Sequence, residues 1–498
     1  MKNDNTNTYK HTLKYTGLFG GVQGLNILIG LVRNKFVALI LGPAGMGLVS
    51  LYNSAITLLS TASSMGMSMS GVKGISEAYD SEGESMRLKE NIRLVRSLCV
   101  VLALVGMVVC AMFSRLLSWL IFEDGSHWLG FVALAPVVGM MTVITGELSI
   151  LKGTRMLGPL AQISIFNVLV AIAVSIPLFY FYGTAGIVPS FILLTLSQFV
   201  FTLRYSCRRF PWRISLRKRF LLRGNRIMRL GMAFVVAGVF GTGADFMIRQ
   251  FLNLKGSFDT VGLFNAGYML TMVYGGLIFS AMETDYFPRL SAVAHDDREG
   301  LNDVVNKQIE ISLLLISPML TAFMIFLPVI VPLLFSCKFM AVIPMTQVTI
   351  LALYMRALKL PMSYIALARS DSRSYLLLEG VYAVVVFALV CVMFTAYGLQ
   401  GAGYALLLTA VFDFFMLTAY TYFKYGFVLS HGVVALAVVM LPLGVLSYLS
   451  SQVLHGMAYW MVGFALTVVS LCVTIFVLHR KTHLISGFKK KLVNLFLT

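Results

Sequence analysis

Fourteen apolar runs of about 20 residues fill this sequence from end to end, at 15–41, 45–69, 97–120, 129–151, 159–181, 186–205, 229–251, 261–284, 308–332, 342–367, 375–397, 401–422, 431–451 and 457–478. The hydrocarbon core of a bilayer holds no water to satisfy a backbone N–H or C=O. A run crossing it must therefore pair these groups within its own helix or within a closed barrel, and uninterrupted apolar runs of this length belong to helices. The expected fold is all-α, a polytopic membrane protein of about 14 transmembrane helices. The composition, 58% hydrophobic and only 12% charged, leaves too little polar surface for a soluble domain. The first run is too long, and too clearly half of a hairpin, for a cleavable signal peptide, and reads as a retained span.

The net charge of +18 would suit a nucleic-acid binder if the cations covered a soluble face, but they lie between the apolar runs, so no nucleic acid is expected as a partner. An even number of spans puts both termini on one side. If that side is cytoplasmic, the inside segments hold 31 of the 39 Lys and Arg, and the outside holds Arg115, near the end of the third run, with Lys255 and Lys338. That bias predicts both termini in the cytoplasm. The outside segments reach only about ten residues, which leaves no room for an extracytoplasmic catalytic domain and argues against an enzyme. The six cysteines form no disulfide framework or metal-ligand spacing, and no cofactor is expected.

Sliding the chain against itself by about 215 residues places YGTAG at 182–186 on YGLQG at 397–401, Gly47-Leu48 on Gly262-Leu263, and Ser97-Leu98 on Ser312-Leu313. The repeating unit holds six spans, so both copies insert the same way. Two six-helix bundles, at 1–205 and 229–425, are therefore expected, related by a pseudo-two-fold axis along the membrane normal with a cavity between them. Residues 206–228 form a basic cytoplasmic linker, a topology anchor or a contact for phosphate-bearing groups. Residues 426–498 add two transmembrane helices and a basic tail.

Five cations lie inside spans, where a charge is costly and calls for a partner or a function. Gln23, Asn26 and Arg33 fall within about 80° of one another on a helix and mark a candidate cavity wall, while Lys35 points away from it. Either cation can instead snorkel to the interface. Asp245 and Arg249 are one turn apart, so Arg249 is either neutralised in place or an anion ligand tuned by Asp245. Arg356, Lys359 and Ser363 share one face with no carboxylate at helical spacing on their own span, the pattern of an anion site. Glu147, Asp285, Glu379 and Asp413, in or at the ends of spans, either balance these cations or carry a coupling ion.

Five segments in order, KFVALILGPAGMGL at 35–48, GVKGISEAYD at 71–80, LKGTR at 151–155, YFPRLS at 286–291 and ARSDSRSYLLLE at 368–379, resemble the Wzx-type flippases for lipid-linked oligosaccharides. These include O-antigen translocases and the lipid III flippase of enterobacterial common antigen. They belong to the multidrug/oligosaccharidyl-lipid/polysaccharide exporter superfamily, and the resemblance covers spans one to twelve. It implies a bacterial inner-membrane protein that moves an undecaprenyl-pyrophosphate-linked oligosaccharide, such as an O-antigen unit for lipopolysaccharide, from the cytoplasmic to the periplasmic leaflet. Other polysaccharide-assembly proteins are possible partners on the same grounds. Lys35, Lys152, Arg249, Lys359, Arg373 and Glu379 fall where similar proteins carry like residues, which favours Lys35 over Arg33, opposite to the helical face. The last helix pair departs from relatives with twelve spans. A multidrug extrusion antiporter is the alternative and would prefer a cavity dominated by acids. A membrane glycosyltransferase or polymerase would want a long periplasmic loop, which is missing.

Overall fold

The computed structural model describes residues 2–82, 86–123, 125–215, 225–293, 298–369 and 371–482. Within them, the side chains of 2–28, 80–82, 157, 225–230, 233, 277, 278, 280, 281, 283–285, 288 and 482 are outside the description. Every regular element among the described residues is helical. α1 (Lys2–Ser63) bends at Gly42, whose φ of 65° suits a residue without a Cβ. Then come α2 (Met67–Glu82), α3 (Met86–Met112), short α4 (Ser114–Phe122), α5 (Trp128–Gly153), α6 (Leu157–Tyr182) and α7 (Ile187–Arg209). α8 (Asn225–Lys255) and α9 (Phe258–Tyr268) lead through a π-helical stretch, Met269–Gly275, into α10 (Gly276–Val293). α11 (Arg298–Leu334), α12 (Ile343–Ala368), α13 (Ser372–Tyr425), α14 (His431–Val453) and α15 (Gly456–Thr482) complete the chain.

Among the described residues, nine helical stretches are long and apolar enough to span a bilayer. They take in all or part of twelve of the fourteen runs, because 29–63, 158–209 and 372–425 each reach two on either side of a glycine bend. The remaining two runs are helical as well. Run 229–251 lies in α8, and run 261–284 lies in α9, the π-helical stretch and α10. The protein is a polytopic, all-helical membrane protein.

Two compact units result, residues 1–262 with 333–338, and residues 263–332 with 339–498. The first unit therefore includes α8. Its interior is built on α5, against which α2 and α3 pack through Ile75, Ile92, Val95 and Leu98, and Phe210, just past α7, plugs the same cluster. In the second unit α12 is buried along Leu353, Tyr354, Ala357 and Leu358. The last helix pair is fastened to this unit. The Tyr459 hydroxyl donates to the Ile325 carbonyl at 2.7 Å, Thr474 donates to the Leu314 carbonyl at 3.0 Å, and the Gln452 amide donates to Gln347 at 2.9 Å.

The 215-residue offset recurs in the backbone at the matched turns. Gly183 has φ 54° and ψ −131°, and Gly398 has φ 58° and ψ −142°. Within the first unit, a Cβ added to Gly47 would overlap the Phe258 carbonyl, and one added to Gly262 would overlap the Pro43 carbonyl. Pro43 and Phe258 are themselves 215 apart. The two helix starts thus cross backbone to backbone in a reciprocal contact, a close approach of the kind small residues allow between membrane helices.

Candidate functional site

Helical spacing on α12 puts Arg356, Lys359 and Ser363 on one face, and in the second unit that face lines a cavity of about 380 Å³. α13 supplies two more walls because it doubles back at Gly398. Tyr375, Glu379 and Tyr382 come from the limb before the bend and Asp413 from the limb after it, while Tyr268 and Met272 close the cavity. Four of the residues singled out by the sequence, Arg356, Lys359, Glu379 and Asp413, therefore converge.

The two cations differ in their surroundings. Lys359 is ion-paired with Asp413, their side chains 16% and 8% exposed, and its Nζ sits 4.7 Å from the centre of the Tyr382 ring. Its acid comes from another helix 54 residues away, so the lack of a carboxylate at helical spacing on its own span does not leave Lys359 unpaired. Arg356 has no carboxylate within ion-pair distance among the described residues. Its Nη1 donates weakly to the Met272 carbonyl at 3.4 Å, and its guanidinium lies 5.3 Å from the Phe279 ring. The carbonyl belongs to the π-helical stretch, a distortion that often marks functional sites. The start of α13 is held by Asp371, which accepts from the Ser374 N–H at 3.2 Å and pairs with Lys424 at 2.6 Å. The hydrogen bond from the Lys424 ammonium, with those from Ser374, holds the Asp371 carboxyl well below the usual carboxylate range.

Arg33, Lys35, Asp245, Arg249 and Glu147 lie in the first unit. Arg33 donates from Nε to Ser175 on α6 at 3.3 Å, and Lys35 is half-buried. Arg249 is 7% exposed, lies 3.5 Å from the Asp245 carboxylate, and donates from Nε to Ser50 on α1 at 2.9 Å. Gln23, Asn26 and Asp285 have side chains outside the described residues. Glu147 is fully buried against Arg96, at 2.7 and 3.0 Å. Sequence reasoning missed Arg96, grouping it with the loop cations because it stands one residue before the third apolar run. The only signal was its place on α3 above the buried Cys99 and Ala103.

The fold is that of solved transporters. The lipid II flippase MurJ, in an inward closed conformation, matches with a TM-score of 0.72 at 14% identity, over 93% of this chain and 99% of that one. An inward-facing multidrug resistance MATE family transporter of the MOP superfamily matches with a TM-score of 0.64 at 16% identity, over 83% and 96%. An outward-facing one matches at 0.56 and 18% identity, over 85% and 94%. No protein of curated function matches significantly. The model of the family described as "Polysaccharide biosynthesis protein" matches residues 13–294, more than half of the sequence. The chain belongs to that family.

Proposed function

We propose that this protein flips an undecaprenyl-pyrophosphate-linked oligosaccharide, an O-antigen or similar surface-polysaccharide unit, from the cytoplasmic to the periplasmic leaflet of a bacterial inner membrane by alternating access. The observation that carries the reading is the cavity in the second unit, where Arg356 and Lys359 share a wall in a protein of a polysaccharide-biosynthesis family. A pyrophosphate crossing a bilayer loses its water, and guanidinium and ammonium donors in a partly desolvated cavity offset that loss by charge-assisted hydrogen bonds. Arg356 is the first donor and Lys359 the second, released as the headgroup competes with Asp413. Arg249, Lys35 and Arg33 are further headgroup contacts. Glu379 and Asp413 balance charge or carry the coupling ion, with Asp245, Glu147 and Asp285 in reserve for that role.

The test is binding of undecaprenyl pyrophosphate to purified protein. A charge-assisted contact contributes about 1.5–3 kcal/mol, so Arg356→Gln is expected to weaken binding about 10- to 150-fold. Lys359→Gln should weaken it less, because the parent lysine gives up Asp413 to bind. Unchanged affinity in both variants would remove the cavity from the transport path. The two carboxylates and three tyrosines in the same walls support a second reading, export of a cationic drug. A lipophilic cation that binds, loses affinity in Glu379→Gln and ignores undecaprenyl pyrophosphate would favour it.

The charge bias puts both termini in the cytoplasm. Single cysteines at the exposed Lys255 and Gln452 in a cysteine-free protein should label with an impermeant thiol reagent on intact spheroplasts, and one at Arg213 should not. The reverse pattern would invert the topology.

A further inference from the structure

The first unit contains a second cavity, of about 520 Å³, at the end where the basic loops lie. It opens between the first turns of α3 and the extended residues 210–215 that follow α7. Lys89 and Arg93 line it from α3, Arg209 and Arg213 from the other side, with Glu90 as the single carboxylate among its described walls. All four cations are exposed at their side chains, whereas the inner wall is apolar or neutralised, with Ile92, Phe210 and the Arg96–Glu147 pair.

The extended wall is fastened by buried groups. A guanidinium has five N–H donors, and Arg96 uses all of them. Nε and Nη2 hold Glu147, Nη2 also donates to Ser206 at 3.1 Å, and Nη1 donates to the carbonyls of Phe210 at 3.0 Å and Pro211 at 2.9 Å. The Ser215 N–H donates to Ser97 Oγ at 2.8 Å. Residues 210–215 therefore cannot lift away from α3 without stripping a desolvated arginine of its partners, and Arg209 and Arg213 stay beside Lys89 and Arg93.

A segment that served only to orient the chain in the membrane would need cations near the span ends, but not a fixed path. Here a buried ion pair, expensive to desolvate, holds that path. The result gathers four cations and one carboxylate, Glu90, around one cavity, a net positive lining that attracts anions. Pyrophosphate and phosphate esters match such a set, since guanidinium groups bind their oxygens in pairs. Met86, 83% exposed, is part of the lining, and Trp212, 39% exposed, stands between the lining residues Pro211 and Arg213 with its ring 5.0 Å from the Arg96 guanidinium. Exposed tryptophan beside cations is typical of the headgroup layer.

We propose that this cavity is a binding site for phosphate groups, carried by the headgroup of an anionic lipid or present in solution as a polyphosphate, and separate from the cavity of the second unit. It does not depend on the transport reading.

Trp212, between two lining residues and beside Arg96, serves as the reporter of occupancy. A protein in neutral detergent with Trp119, Trp128 and Trp460 replaced by Phe is titrated with phosphatidylglycerol, phosphatidylcholine or inorganic pyrophosphate. Saturable change in Trp212 emission is expected with phosphatidylglycerol or with pyrophosphate, and none with phosphatidylcholine. Response to phosphatidylglycerol alone assigns a lipid headgroup, response to pyrophosphate alone a soluble ligand, and competition between the two the shared phosphate chemistry. Each cation near a headgroup contributes about a fivefold gain in affinity, so Arg93→Gln with Arg213→Gln should weaken binding about 25-fold, and Arg213→Gln alone, at an exposed position, about fivefold. Removing two exposed cations elsewhere, Lys73→Gln with Lys307→Gln, should leave it unchanged. The proposal is overturned if neither anion moves the emission, or if both double replacements weaken binding equally, which would make the effect one of general surface charge.

Discussion

Replacing Glu147 by alanine is expected to destabilise the first unit by about 3–5 kcal/mol, because it leaves Arg96 buried without a counter-charge. Both side chains are 1% exposed, and the pair is bidentate, with Ser206 bonded to the same carboxylate. Glu147→Gln keeps one acceptor but loses the charge, so it should fall between the parent and alanine. Replacing both members by apolar residues, Arg96→Met with Glu147→Leu, should recover part of the loss. It removes the unpaired charge but leaves the carbonyls of Phe210 and Pro211 without their donor. Thermal unfolding of purified protein in detergent gives the comparison. A Glu147→Ala protein that melts with the parent would mean that water reaches Arg96. The same replacement should also weaken phosphate binding at Trp212, since it loosens residues 210–215.

The second large effect is expected at the crossing of Gly47 and Gly262. Alanine at either position drives a methyl group into a backbone carbonyl, which cannot turn aside as a side chain does, so the helix starts must separate. Overpacking of a tight contact costs about 1–3 kcal/mol, and the upper end is expected here because both obstacles are main chain. The contact is reciprocal, so a single separation accommodates both methyl groups. Gly47→Ala with Gly262→Ala should therefore cost clearly less than the sum of the two single changes. Gly30→Ala is the control, having no neighbour within 4 Å of an added Cβ and a helical backbone. Strict additivity at 47 and 262 would show that the two glycines do not share one constraint.

Length and hydropathy alone determined that this chain is a bundle of membrane helices, since a run of 20 apolar residues has no other way to pair its backbone in lipid. The 215-residue offset was legible for a related reason. Glycines at 183 and 398 are required by a positive φ, and those at 47 and 262 by backbone approach, so both mark geometry in the sequence itself. Arg356, Lys359 and Ser363 could be placed on one face because a helix converts spacing into direction, and Asp245 with Arg249 for the same reason. Other features were decided only by tertiary structure. Asp413 reaches Lys359 across 54 residues, and Glu147 reaches Arg96 across 51, distances at which no helical period carries information. Arg96 looked like one more loop cation, yet it is buried and fastens the extended chain after α7. Charge and periodicity are properties of neighbouring residues. Burial is not, because it depends on which distant helices remove a group from water, and that removal makes an arginine into a structural centre and gathers scattered cations into a site.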